Sequence, residues 1–282
     1  MTTSAIIASA GRPDVLRQTL QNLLKQTFIP SEIIISTIQE SDWAPRPGDD
    51  TRIRHLFGKR GITIQLNAAL QILNPESDVV FVFDDDVLLA PDYCERAVAW
   101  LQRREDVLAL GGNVLRDGNI STPDAEELLK SRRNDRQELS FDSNGLYGCN
   151  MCARRAVFAL ENFDEKLQGY AWLFEIDWSR RVKRHGTVIN VTDCHCVHLM
   201  SKSGRMPGLK IGYMQIFHPY YLWRKGVIPT SELLKHHLWR PILANLTKLC
   251  TDREVDRLGR LHGNMRGCFD IIRGRVDPKL PG

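Results

Sequence analysis

Between Val79 and Phe83 five apolar residues, each β-branched or aromatic, run without interruption and stop at three consecutive carboxylates, Asp84, Asp85 and Asp86. A short continuous run bounded by polar residues reads as a strand buried on both faces, the habit of a parallel sheet. In open α/β sheets ligands bind just beyond the carboxyl ends of the strands, so the three aspartates are expected in a site crevice. Adjacent carboxylates repel one another. A hard divalent cation offsets that cost, because Mg²⁺ and Mn²⁺ prefer carboxylate oxygens and often bridge to substrate phosphates. A solvated acidic turn is the plain alternative, but few such turns follow so apolar a strand.

The preceding chain alternates in a way that supports the parallel sheet. Ser4 to Ser9 reads as a first strand, and Ala10-Gly11-Arg12-Pro13-Asp14 as a turn opening a helix with Val15, Leu16, Leu20, Leu23 and Leu24 at helical spacing. Ser31 to Ser36 is a second strand, Ile62 to Leu73 a second helix, and the acidic strand follows. Strand–helix–strand–helix–strand implies right-handed crossovers and a doubly wound sheet. Beyond it come a helix from Pro91 to Arg103 and a strand from Val107 to Leu110 that ends in Gly111-Gly112. Residues 117–144 read as a polar, irregular excursion with Lys130, Arg132, Arg133, Asp135 and Arg136 close together. Gly145 to Arg155 returns to the sheet. A helix from about Leu173 ends at Gly186, and Thr187 to Val191 forms a late strand before a Cys/His cluster at 194–198.

At 282 residues the chain suits one large α/β domain with an appendage, or two small domains. Its longest apolar runs are far short of the roughly twenty residues that span a bilayer. Met1 to Ile7 lacks a basic stretch and enters a strand pattern at once, so no signal peptide is expected. Seven cysteines, an odd number, point to reduced thiols in the cytoplasm. The net charge of +4 is unevenly spread: from Leu199 onward 15 Lys/Arg face 6 Asp/Glu, which leaves 23 against 28 before it. A basic C-terminal third suits a phosphate-bearing ligand, an anionic membrane surface or nucleic acid. No recognised RNA or DNA module is visible, and nucleic acid is not an expected partner.

Several stretches recur in one order: Gly11-Arg12-Pro13 after the first strand, Gln65-Leu66-Asn67 ahead of Phe83-Asp84-Asp85-Asp86-Val87, then Asn150 to Arg155, Phe163-Asp164-Glu165, and Glu175-Ile176-Asp177 with Arg181 and Gly186 beyond. Together they resemble the family 2 glycosyltransferases of the GT-A fold, in particular bacterial rhamnosyltransferase-like members, over most of the span from Ile6 to about Arg224. The resemblance implies an α/β fold of GT-A type, a doubly wound, mostly parallel sheet flanked by helices. A transferase domain over 1–225 would divide into a nucleotide-binding half (1–112) and an acceptor and catalytic half (113–225). A basic helical extension over 226–282 would follow.

The implied activity is metal-dependent, inverting transfer of a hexosyl or deoxyhexosyl group from a nucleotide-diphosphate sugar to a hydroxyl of a saccharide or lipid-linked acceptor. Asp84 and Asp86 match the ends of the family's Asp-x-Asp motif. Asp84, with Asp85 beside it, would contact the nucleotide, and Asp86 would hold Mn²⁺ or Mg²⁺ on the diphosphate. Ser9, Arg12, Asn67 and the loop after the second strand fall where the family grips the nucleotide. Glu175 falls at the catalytic base, His198 at a metal ligand and Arg205 at a mobile diphosphate contact.

Two stretches depart from that pattern. The family usually has an acidic pair at the base motif, whereas Phe174 precedes Glu175 here, leaving Glu175 and Asp177 as candidates with Glu175 favoured by register. Asp177 and Arg181 also have a plain reading as an i,i+4 helix ion pair. After the second strand the family commonly shows aspartates; Ser36-Thr37-Ile38-Gln39-Glu40 stands there instead, so Glu40 or Asp42 is expected to take their part.

Three further readings stay open. Cys149, Cys152, Cys194 and Cys196, with His195 and His198, could bind zinc, although Cys-x-Cys spacing is poor for it and buried free cysteines are common. Glu232 to Leu249 has leucines at helical spacing among basic residues, a pattern that lies peripherally on the inner membrane face or packs on the domain. A sugar-phosphate nucleotidyltransferase or a non-catalytic binding module are the rival functions. The first usually has a basic, Gly-rich first loop, absent here; intact carboxylates at Asp84, Asp86 and Glu175 argue against the second.

Overall fold

The computed structural model describes residues 1–46, 48–132, 138–201, 206–252 and 254–280. The chain divides into two compact units. One comprises residues 1–60, 64–163 and 178–204, the other residues 61–63, 164–177 and 205–282.

The first unit is built on a central sheet of mixed α/β type. In chain order its elements begin with β1 (Thr3–Ala8), α1 (Pro13–Leu23), β2 (Glu32–Thr37), β3 (Ile53–Phe57), α2 (Ile62–Gln71) and β4 (Val79–Asp84). Then come β5 (Val87–Leu89), α3 (Tyr93–Arg103), β6 (Val107–Asp117), α4 (Thr122–Ser131), β7 (Ser140–Asp142), β8 (Asn150–Arg154), α5 (Val157–Leu160), α6 (Phe174–Val182, of which residues 174–177 belong to the second unit) and β9 (Thr187–His198). The strand order is β3-β2-β1-β4-β8-β6-β9-β5, with β7 also on β9. β1 to β4 pair in parallel, and the remainder is mixed, with β8 antiparallel to both β4 and β6. Val79 to Phe83 are buried on both faces, as their unbroken apolar run requires. Leu16, Leu20 and Leu23 of α1 and Ala97, Val98 and Leu101 of α3 close one core cluster over the sheet.

Local differences from the sequence expectation have physical causes. β3 and β5 were not anticipated; both are short, and β5 has only three residues. β6 runs straight through Gly111-Gly112 instead of ending there, with register shifts against β9 beside the glycines. A Cβ on Gly112 would lie 2.4 Å from the Cys194 carbonyl oxygen and 2.6 Å from the Tyr93 ring, so the glycine marks a close backbone approach. The excursion at 117–144 contains α4, whose N-cap Ser121 Oγ accepts from the Asp124 amide at 3.3 Å, and the strand β7. Arg133, Asp135 and Arg136 of the expected basic group lie outside the described residues. β9 continues to His198, which puts the Cys/His cluster in a strand. Cys94, Cys149, Cys152, Cys194 and Cys196 are free thiols packed in the core.

The second unit holds α7 (Gly208–Arg224), α8 (Thr230–Glu232), a π-helical turn at Leu233–Leu238, α9 (Trp239–Thr247) and α10 (Arg257–Ile272). The helix expected over 232–249 is thus broken into α8, the π turn and α9. Among the described residues no helix is long and apolar enough to cross a membrane.

Candidate functional site

Register brings the acidic triplet together with residues far away in sequence. β1 pairs β4 so that Ala8 stands beside Asp84, which sets Ser9 and Arg12 against the triplet. β5 pairs β9 with Val87 beside His198, and β6 pairs β9 with Asp117 beside the same histidine. All of these residues belong to the first unit.

The three aspartates have distinct surroundings. Asp85, fully buried, is gripped by Arg12: Nε donates to Oδ2 at 3.1 Å and Nη2 donates to Oδ1. Ser9 Oγ donates to the same carboxylate, and Thr19 Oγ1 donates to the Asp85 carbonyl at 2.7 Å. That bidentate pairing fixes the position of the middle aspartate. Asp86 accepts from the Ser201 amide at 2.7 Å and from Arg12 Nη1 at 3.4 Å, and its Oδ1 lies 3.1 Å from His198 Nε2. Asp84 keeps the most solvent access of the three, its side chain 23 % exposed, with Oδ2 3.6 Å from the same Nε2.

His198 is therefore held from both sides. Its Nδ1 lies 2.8 Å from Asp117 Oδ1, and Asp117 in turn accepts from the Tyr147 hydroxyl at 3.0 Å. A second carboxylate that orients an imidazole is the usual partner of a ligating histidine. Burial alone would lower the His198 pKa, but the hydrogen bond to Asp86 and the charges of Asp84 and Asp86 overcome it and push it up to about 9. Burial raises Asp84 to about 6, against the pull of His198. Asp86 feels burial too, yet His198, Arg12 and the Ser201 amide hold it below the ordinary carboxylate range. Among the described residues, one carboxylate oxygen from each of Asp84 and Asp86 and one His198 ring nitrogen lie within 4.8 Å of one another. Two hard oxygen donors with one imidazole suit a divalent cation of the Mn²⁺ type. The cysteine cluster offers no such convergence among the described residues.

Around this centre the other expected residues are placed as follows. Ser9 directly follows β1, and Gln65 Nε2 donates to the Ser9 and Ser36 carbonyls at 2.9 and 2.8 Å, tying α2 to the strand ends. Glu40 and Asp42 lie on a 3₁₀ turn, Glu40 exposed and Asp42 buried. Gln39 Nε2 donates to Asp42 Oδ1 at 3.0 Å, while Asp42 Oδ2 is buried without a hydrogen-bond partner among the described residues. Asn67 clamps the Phe163 backbone, donating to its carbonyl at 2.9 Å and accepting from its amide at 3.1 Å. Arg205 lies outside the described residues.

The second unit carries Glu175 and Asp177 in the first turn of α6. The segment before it is strained: Ala171 and Leu173, neither a glycine, have φ of 51° and 68°. Asp177, fully buried, accepts from Lys225 Nζ at 2.8 and 3.0 Å, and the same ammonium donates to Asp164 Oδ2 at 2.7 Å. Tyr221 Oη also donates to Asp164, at 2.8 Å. In the first unit Arg181, expected opposite Asp177, pairs with Glu161 and the Asn162 carbonyl. Glu175, two residues earlier on the same helix turn, is half-buried. Asp117, Tyr147, Ser201 and Lys225 were not anticipated as site groups. Each is tied to its partner only through the fold, and no local motif marks it.

The family model of glycosyl transferase family 2 matches residues 4–160. Among curated proteins, the glucosyl-dolichyl phosphate glucuronosyltransferase of Haloferax volcanii is 27% identical over 161 residues, 53% of this chain and 51% of that protein. The chain thus spans about half the length of this curated relative. Three solved structures share the fold. The mannosyltransferase PcManGT from Pyrobaculum calidifontis, in complex with GDP-Man and Mn²⁺, has a TM-score of 0.59 at 15% identity, over 95% of this chain and 87% of its own. GalNAc-T7 with UDP, GalNAc and Mn²⁺ has a TM-score of 0.55 at 14% identity, over 81% and 52%. S. aureus TarS 1-349 has a TM-score of 0.56 at 13% identity, over 99% and 96%.

Proposed function

The chain belongs to glycosyl transferase family 2, and on that premise we propose that it is a divalent-metal-dependent, inverting glycosyltransferase acting on a nucleotide-diphosphate sugar. The observation that carries this reading is the convergence of Asp84, Asp86 and His198 at the carboxyl edge of β4. Two structures of like fold, PcManGT and GalNAc-T7, hold Mn²⁺ beside GDP-Man or UDP, which supports a metal in the same class here.

Asp84, Asp86 and His198 would hold the cation, whose bound charge would neutralise the diphosphate and its developing negative charge as it leaves. Arg12 keeps Asp85 paired, so that carboxylate does not compete for the metal. Ser9, Arg12, Asn67, Asp84 and Asp85 are assigned to the nucleotide side of the site, with Arg205 as a further diphosphate contact. Glu40 and Asp42 are assigned to base or ribose recognition, and the buried, unpaired Asp42 Oδ2 favours Asp42 as an acceptor for a nucleoside donor.

Glu175 is the general base. It takes the proton of the acceptor hydroxyl while that oxygen attacks the anomeric carbon from the side opposite the leaving group. The bond from that carbon to the diphosphate oxygen breaks, and its electron pair leaves with the nucleoside diphosphate. Asp177 is the less suitable base because Lys225 already occupies its carboxylate. The Haloferax relative is named for transfer onto a dolichyl-phosphate-linked sugar, which favours a lipid-linked saccharide acceptor and peripheral contact with an anionic membrane on the cytoplasmic side.

The test is diphosphate release from a panel of nucleotide sugars, with Mn²⁺ and with chelator, followed by NMR of the new anomeric linkage. Metal-dependent release from one donor with inverted configuration is expected. Retained configuration, or release unaffected by chelation, would overturn the assignment.

A further inference from the structure

Of the nineteen large apolar side chains exposed among the described residues, ten lie between Leu234 and Val276, a concentration too high for scattered surface residues. Seven of the ten fall on α9 and α10, on one stripe of each helix. On α10 they are Leu258, Met265, Phe269 and Ile272, which lie within roughly 60° of one another at about 100° per residue. On α9 they are Trp239, Leu243 and Leu246, again on one side.

The opposite face is inverted with respect to an ordinary soluble helix. α10 buries Gly263, Asn264, Gly267 and Asp270. Its backbone runs against α7 so closely that a Cβ on Gly263 would sit 2.1 Å from the Leu209 carbonyl oxygen, and one on Gly212 would sit 2.0 Å from that of Arg260. Polar bonds fasten the bundle from inside. Asn264 Nδ2 donates to the Gly212 carbonyl at 2.8 Å, and Asn245 Nδ2 donates to Gln215 Oε1 at 3.1 Å and to Asn264 Oδ1 at 3.0 Å. Glycines and amides inside with large apolar groups outside is the arrangement of helices whose surroundings are hydrocarbon.

The rim says which surface covers the stripe. Residues 234–276 carry nine Lys/Arg against four Asp/Glu, and three of those acids are engaged within the unit. Asp252 binds Arg257, Asp270 accepts from Tyr213 and Arg275, and Asp256 caps the Gly259 amide. Lys235, Arg240, Lys248, Arg266 and Arg273 are exposed beside the stripe, and Arg273 lies 3.9 Å over the Phe269 ring, where its stem follows the apolar face.

We propose that α9 and α10 form an in-plane docking surface for an anionic lipid bilayer, with Trp239, Leu246, Met265, Phe269 and Ile272 buried among the acyl chains and the arginines on the lipid phosphates. The inference deepens the membrane contact of the proposed function, and it holds whether or not the site in the first unit transfers sugar.

The test is co-sedimentation of the full chain with phosphatidylcholine vesicles, with and without phosphatidylglycerol. Trp239 serves as the reporter through quenching by brominated lipid. Wild type should bind the anionic vesicles at least about tenfold more tightly than neutral ones and lose binding as salt rises. Phe269→Glu/Ile272→Glu, both on the exposed face, should reduce binding about tenfold or more. Asp86→Ala should bind vesicles like wild type, which separates this claim from the catalytic one. Arg266→Ala/Arg273→Ala should weaken binding to anionic vesicles only, and it covers the case in which the glutamate variant fails to fold. Equal binding by the stripe variants, no quenching by brominated lipid, or a stable wild-type dimer that ignores vesicles and is broken by Phe269→Glu/Ile272→Glu would each overturn the proposal.

Discussion

Lys225 Nζ lies 2.8 and 3.0 Å from the two carboxylate oxygens of Asp177, a residue with no solvent exposure. Of the two acids in the first turn of α6, Asp177 is thus locked to a cation, which is why the proposed base is Glu175.

Glu175→Gln should lower kcat by about 10²–10⁴ while leaving nucleoside diphosphate affinity unchanged, since a base acts on the acceptor hydroxyl and not on the donor. Steady-state kinetics with calorimetric binding checks this. A normal kcat would return the role to Asp177.

Lys225→Met should cost about 1–3 kcal/mol or more in stability, because it leaves the fully buried Asp177 without its cation. Urea melts read the loss. A cost near zero would mean that the pair holds nothing in place.

Gly112→Ala should be destabilising by about 1–3 kcal/mol or more, because the new methyl meets the Cys194 carbonyl of β9 and the Tyr93 ring of α3, both buried in the core. Gly11→Ala meets no such wall: nothing lies within 4 Å of its Cβ position, and only its φ of 67° opposes it.

His218 is buried with Nδ1 3.2 Å from the Trp172 carbonyl, while Nε2 finds no partner among the described residues. Burial lowers its pKa to about 4 from an ordinary 6.5, with the Trp172 bond and Asp164 opposing. The unfolded chain then binds a proton that the folded one refuses. This contribution to stability is whole above pH 6.5 and is lost as pH falls from 6.5 to 4, amounting to about 3 kcal/mol. His218→Leu should flatten that part of the stability–pH curve, which melts across the range would record.

Much of this was legible before any coordinates. A strand buried on both faces writes itself as an unbroken apolar run, so β4 and the carboxylates at its end could be located directly. α1 could be placed from its leucine spacing. β5 has too few residues to show a period, and the strand-like stretch after Val107 looked finished at Gly111-Gly112 because the reason for those glycines, the approach of Cys194 and Tyr93, lies in other elements. The partner of Asp177 is 48 residues away in sequence, whereas Arg181 stood one helical turn away and was the natural but different choice. The outward apolar stripe of α10 was masked because its spacing is that of any amphipathic helix; only burial reveals which side faces out.

Calorimetric titration of UDP, GDP and TDP into wild type and Asp86→Ala, each with Mn²⁺ and with chelator, tests the central claim most directly. The account predicts that one diphosphate binds wild type only when Mn²⁺ is present and binds Asp86→Ala at least tenfold more weakly, since Asp86 supplies a metal ligand. Binding that survives both chelation and Asp86→Ala, or no binding of any diphosphate to folded protein with Mn²⁺, would contradict it.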